Sequence, residues 1–177
     1  MPRPFVCILF AAERIGLSIE RDEVAEWGVA FAVTCVCGAE ARQDAGQWLR
    51  DGTISWDSEF SCRACGASMC LGFGADGTPH WVRDPLIARH GTARLRLTGP
   101  AAGRVAVLKT LREAWDLTLP QVLDMAAQLA DPGLSGTLPE VAWLRERLDV
   151  RGVSAEITTD SVAAPGPWDP PAAAGRG

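Results

Sequence analysis

The sequence predicts an α+β chain in three parts: a cysteine-rich, β-rich module over residues 1–90, a small α/β sandwich of order β-α-α-β-α-β over 91–159, and a disordered Pro/Ala/Gly tail over 160–177. Three observations carry this. Cysteines fall in two tight pairs in the first part, hydrophobic spacing turns from strand-like to helical near residue 90, and the last stretch has little to bury. At 47% apolar and 22% charged residues, the 177-residue chain has a globular composition.

Along the first part, Phe5 to Ala12 reads as a buried strand containing Cys7 as a small hydrophobe. Ala11 to Trp27 reads two ways, as a helix capped by Ser18 or as a strand alternating through Ile15, Leu17 and Ile19. Asp22, Glu23 and Glu26 stand at helical spacing and read as a solvated face. Gly28 to Val36, with Trp27, Trp48, Trp56 and Trp81 scattered around it, reads as one of several short strands.

The cysteine pairs are Cys35-Val36-Cys37-Gly38 and Cys62-Arg63-Ala64-Cys65-Gly66. Short C-x-C and C-x₂-C turns each aim two sulfurs at one point, and Zn²⁺ takes four thiolates in a tetrahedron at ~2.3 Å. Gly38 and Gly66 can adopt the positive φ that closes such a turn. A structural zinc on Cys35, Cys37, Cys62 and Cys65 is the expectation, which makes the module zinc-ribbon-like. Six cysteines also fit a disulfide framework, and Cys62 with Cys65 a redox dithiol. A chain this long can build a core without disulfides, however, and a redox dithiol leaves Cys35 and Cys37 unexplained. Catalytic zinc needs an open position that four thiolates fill. Cys70 is an alternative ligand, and His80 and His90 lie outside the spacing of the turns.

Past residue 90, Ala93-Arg94-Leu95-Arg96-Leu97 alternates as a half-buried strand with the arginines outward, and Val153, Ala155 and Ile157 alternate likewise. Three helices are expected between them. In the first, Val107, Leu111 and Ala114 form the core stripe, while Val105, Lys109 and Arg112 share another. Thr118-Leu119-Pro120-Gln121 and Thr137-Leu138-Pro139-Glu140 both match a capping box with proline in the first turn, so they start the second and third helices. Val122, Met125, Ala126 and Leu129, then Val141, Leu144 and Leu148, are the buried stripes.

Charge and motif content exclude several classes. Residues 1–90 carry 8 Arg against 12 Asp/Glu and the remainder 9 Lys/Arg against 10 Asp/Glu, so neither part has the basic balance of a nucleic-acid binder. No phosphate-cradling glycine loop, nucleophile elbow or His-centred acid/base set is present, so no enzyme is expected. Phe5 to Ala12 is far short of the ~20 residues that cross a bilayer. Charged Glu13-Arg14 follow it, without a small-x-small cleavage site. With thiols kept free for a metal, a reducing cytoplasm is the expected location.

Residues 93–158 resemble the C-terminal globular domain of the bacterial ribosomal stalk protein, the L-seven/L-twelve family, over a little over a third of the chain. The likeness is carried by the run from Gly103 through Ala114, by Leu117-Thr118-Leu119, and by Trp143 to Leu148 leading into Val153 to Ile157. Of 17 basic residues only Lys109 is lysine, and it falls where the family's helix has one. The resemblance implies a non-enzymatic translation-associated protein whose Arg104, Val105, Leu108, Lys109 and Arg112 contact a translational GTPase or ribosomal factor. Two departures stand beside it. Pro120, Gln121, Val122 and Leu123 replace a lysine-rich helix start, and the cysteine module replaces the family's dimerisation segment and hinge. They favour a second expectation, a zinc-stabilised regulatory or immunity-type adaptor that reuses the fold for an unrelated protein.

Overall fold

A computed structural model describes residues 25–74, 77–99 and 103–160. The expectations for Phe5 to Ala12, for residues 11–24 and for the tail beyond Asp160 lie outside the described residues.

Strands β1 (Glu26–Thr34), β2 (Glu40–Arg50), β3 (Thr53–Ser61) and β4 (Ser68–Gly74) form an antiparallel meander in chain order. Its turns explain the register. Asp51 and Gly52 both have positive φ, 51° and 69°, between the paired Arg50 and Thr53. That is the two-residue Asp-Gly hairpin whose twist suits right-handed strands. The other two turns hold the cysteine pairs, and because Arg42 pairs with Ser61 they lie together at one end of the sheet. Glu26, read with Asp22 and Glu23 as part of a helical face, stands instead in β1.

Helix α1 (His80–His90) was not among the expected elements. Pro85 within it lacks an N–H for the helical ladder, which hides it from a pattern reading. Tertiary packing overrides that cost: Val82 and Leu86 are fully buried against the sheet.

The rest follows the expected order as β5 (Ala93–Leu97), α2 (Arg104–Trp115), α3 (Leu119–Ala130), β6 (Leu134–Gly136), α4 (Leu138–Asp149) and β7 (Ala155–Thr159). The three strands make a second antiparallel sheet in the order β6-β5-β7. Both anticipated helix starts are in place. Thr118 N–H donates to Gln121 Oε1 at 2.9 Å, and Thr137 N–H to Glu140 Oε2 at 3.0 Å. Val107, Leu111, Val122, Leu129, Val141, Leu144 and Leu148 are buried, whereas Ala114, Met125 and Ala126 are half-buried. Thr110, a polar residue on the core side of α2, is buried too; its hydroxyl donates to the Ala106 carbonyl at 2.9 Å.

The parts on either side of residue 90 share a core. One cluster runs from Trp27, Ala45, Val82 and Leu86 through Leu95 to Val107, Leu111, Leu129, Leu144 and Leu148. Helix α4 lies between the sheets, with Ala142 turned to Ala25 and Leu49. Fully buried Gln47 of β2 crosses the junction: its Oε1 accepts from the Thr137 hydroxyl at the start of α4, and its Nε2 donates to the Thr78 hydroxyl. Arg83 of α1 grips Glu140 of α4 through both carboxylate oxygens at 2.9 and 3.0 Å. Among the described residues, no helix is long and apolar enough to cross a membrane.

Candidate metal centre and partner face

Each cysteine turn closes by the same two backbone bonds. Cys35 N–H donates to Ala39 C=O at 2.8 Å and Gly38 N–H to Cys35 C=O at 2.8 Å. In the second turn, Cys62 N–H donates to Ala67 C=O at 2.7 Å and Gly66 N–H to Cys62 C=O at 2.9 Å. Gly38 and Gly66 hold φ of 84° and 74°, a region that a side chain would strain.

The four Sγ atoms of Cys35, Cys37, Cys62 and Cys65 all lie within 4.8 Å of one another. Cys35 to Cys65 and Cys37 to Cys62 are each 3.7 Å apart. That is far beyond a covalent S–S bond of ~2.05 Å. It is close to the ~3.8 Å edge of a tetrahedron whose centre lies ~2.3 Å from each sulfur. The cluster can therefore hold a metal ion, and its thiols are free.

The thiols are electrostatically unequal. The Cys37 backbone N–H by itself lowers Cys35, but burial and hydrogen bonds with the neighbouring thiols push it up to about 12. The Cys65 N–H, helped by that of Ala64 and opposed by burial, brings Cys62 down to about 7. Thiols this close exchange protons as one coupled set, and a cation bound by all four favours their thiolate forms.

Cys70 sits exposed on β4 opposite Glu59 and is not part of the cluster. His90 stacks on Trp27 with ring centroids 4.9 Å apart, and its Nε2 lies 2.9 Å from the Gly28 carbonyl, a structural role.

On α2, Arg104, Val105, Lys109 and Arg112 are exposed and Leu108 is half-buried. Val105 is 81% exposed, although Val107, two residues on, is buried core. Helix α2 packs on α3 and α4, so the cysteine-bearing sheet leaves this strip open. Leu119 and Leu123 of α3 are exposed as well, and Leu123 faces Leu108 across a groove between the two helices. The strip joins three cations to an apolar patch on a chain of formal net charge -5.

Family models, curated proteins and solved structures offer no match to this chain. What its sites can do rests on their own chemistry. Two features of that chemistry escaped the sequence reading, the buried Gln47 crossing between the sheets and a close pair of tryptophans, Trp115 and Trp143. Both come from residues more than twenty positions apart, so no local pattern signals them.

Proposed function

We propose that this chain is a non-enzymatic binding protein associated with translation, whose α2 strip contacts a translational GTPase or ribosomal factor. The observation that carries the reading is the open strip itself: Arg104, Val105, Leu108, Lys109 and Arg112 stand clear of the cysteine-bearing sheet, on a helix whose opposite side is core. A partner with an apolar patch inside an acidic surface complements it, the cations steering approach and Val105 and Leu108 supplying buried area. The β-α-α-β-α-β order after residue 91 and the stalk-like sequence of α2 support the same choice.

Within this reading Cys35, Cys37, Cys62 and Cys65 hold a structural zinc. Four thiolates at tetrahedral spacing suit that ion and leave no position for substrate. The metal joins two turns that are 25 to 30 residues apart in the chain.

The test is capture from cytoplasmic extract by the full chain, with bound proteins identified by mass spectrometry. Ribosomes or elongation-type GTPases are retained by wild type and lost by the K109E/R112E double variant. Both residues are exposed, and reversing Lys109 turns its 3.9 Å pairing with Glu113 into a repulsion, so folding should weaken by no more than about 1 kcal/mol. Association slows roughly tenfold or more at low salt. Equal retention of ribosomes or GTPases by both proteins defeats the reading.

Exposed Leu119 and Leu123 favour a second reading, an adaptor for an unrelated protein with a largely apolar surface. In that case a non-ribosomal partner survives K109E/R112E and is lost with Leu123→Glu.

A further inference from the structure

A cleft of about 920 Å³ opens between the two sheets, walled by the β2–β3 turn, α1 and helices α2 to α4. Two tryptophans dominate it. Trp115, the last residue of α2, is 43% exposed; Trp143 of α4 lies against it with centroids 5.7 Å apart and planes at 62°. Trp143 is fixed in place, its Nε1–H donating to Gly52 C=O at 3.1 Å and the Arg147 guanidinium lying 4.2 Å over its ring. A rigid aromatic wall with an exposed cation at its rim is a receptive surface for a proline-rich segment, because such a segment is already extended and loses little entropy on docking. Neither the metal centre nor the α2 strip uses these residues.

The chain itself supplies such a segment. Beyond Asp160 lie 17 residues, outside the described structure, that include Pro165-Gly166-Pro167-Trp168-Asp169-Pro170-Pro171. Their point of departure is tied down: Asp160 N–H donates to Thr92 C=O at 3.0 Å. Thr92 leads into Ala93, which pairs with Gly136, and Gly136 lines the cleft. The distance is two strand spacings, ~10 Å. Five extended residues already span ~15 Å. Charge agrees as well, since the carboxylate of Asp169 answers exposed Arg147 at the rim.

We infer that residues 165–171 dock in the Trp115–Trp143 cleft of their own chain. The experiment is two-dimensional ¹H–¹⁵N NMR of the 177-residue chain, comparing wild type with a P167S/W168S/P170S variant that leaves every described residue unchanged. The indole N–H signals of Trp115 and Trp143, assigned by Trp115→Phe and Trp143→Phe, are expected to shift in the variant while the amides of Cys35, Cys37, Cys62 and Cys65 stay in place. A free peptide of residues 161–177 added to the variant should return the indoles to their wild-type positions. In Trp115→Ala, the signals of residues 165–171 should move to those of the free peptide. Unchanged indoles in the variant overturn the inference. So does a free peptide that shifts wild type and variant alike, because the cleft would then be vacant in the intact chain and serve a proline-rich segment of another protein.

Discussion

Stripping the metal should loosen one end of the cysteine sheet far more than the other. At the cysteine end the buried residues are only Cys35, Ala41 and Cys62, with Val33, Ala39, Phe60 and Ala67 partly buried around them. At the opposite end Trp27, Ala45 and Leu49 pack into the cores that α1 and α4 complete. With so few side chains there, closure of the two hairpin ends is expected to depend on the ion proposed for the cluster. Free zinc at a thousand times its Kd adds about 4.1 kcal/mol to the stability of the folded state. For a domain of this size each kcal/mol moves Tm by about 2–4 °C, so chelation should lower Tm by roughly 8–16 °C. Calorimetry with and without chelator, elemental analysis and amide exchange together check this. One zinc per chain is expected, with exchange accelerated around Cys35 to Ala41 and Ser61 to Ser68 and unchanged inside α2 to α4. The same outcome is expected of Cys62→Ser. A freshly purified protein with mixed disulfides and no metal, or a Tm indifferent to chelation, refutes the reasoning.

The remaining predictions concern the junction and the sheet surface. Gln47→Leu leaves the buried Thr137 hydroxyl and Thr78 without their partner, so stability should fall by about 1–3 kcal/mol. The denaturant midpoint should drop at unchanged slope, with zinc still bound; an unchanged midpoint would show the contact to be idle. Partial burial of its carboxyl, then the charges of Glu59, Glu26 and Asp44, raise the pKa of Asp57 above its ordinary value, an effect that water screens in part because the residue is exposed on β3. The folded chain therefore binds that proton more tightly than the unfolded chain, so this group favours folding below its folded pKa and opposes it once ionised. Asp57→Asn should be the more stable protein near pH 7 and match wild type near pH 3; a wild type more stable at pH 7 contradicts the sign.

The legible parts of this fold are those in which few neighbours decide the outcome. A capping box needs four consecutive residues, and the starts of α3 and α4 fall where Thr118 to Gln121 and Thr137 to Glu140 put them. A cysteine turn needs four or five, and the four sulfurs converge as their spacing implies. Asp51-Gly52 is an equally local hairpin signal, and it positions the turn whose Gly52 carbonyl holds Trp143. Helix α1 is different. Its Pro85 argues against a helix, and only the sheet beneath Val82 and Leu86 reverses that preference. Gln47 was illegible for a similar reason, since a glutamine among Ala45, Gln47 and Leu49 becomes an inward residue only once Thr137 and Thr78 arrive from elsewhere.

Helix α4 shows why a boundary near residue 90 reads so clearly in composition while packing crosses it. Its stripe of Val141, Leu144 and Leu148 marks one buried side, yet Pro139 and Ala142 are buried too, on a side whose small residues carry little hydrophobic signal. That second side meets Ala25 and Leu49, so α4 serves as the inner layer of both sheets. The two proposed devices then stand in different places on it. The cysteines lie at the end of β1 to β4 away from this contact, and α2 rests on α4 and α3 with its charged strip outward. The proposed metal centre and the proposed partner strip can thus be altered separately, which is what lets charge reversal on α2 and metal removal be read as independent experiments.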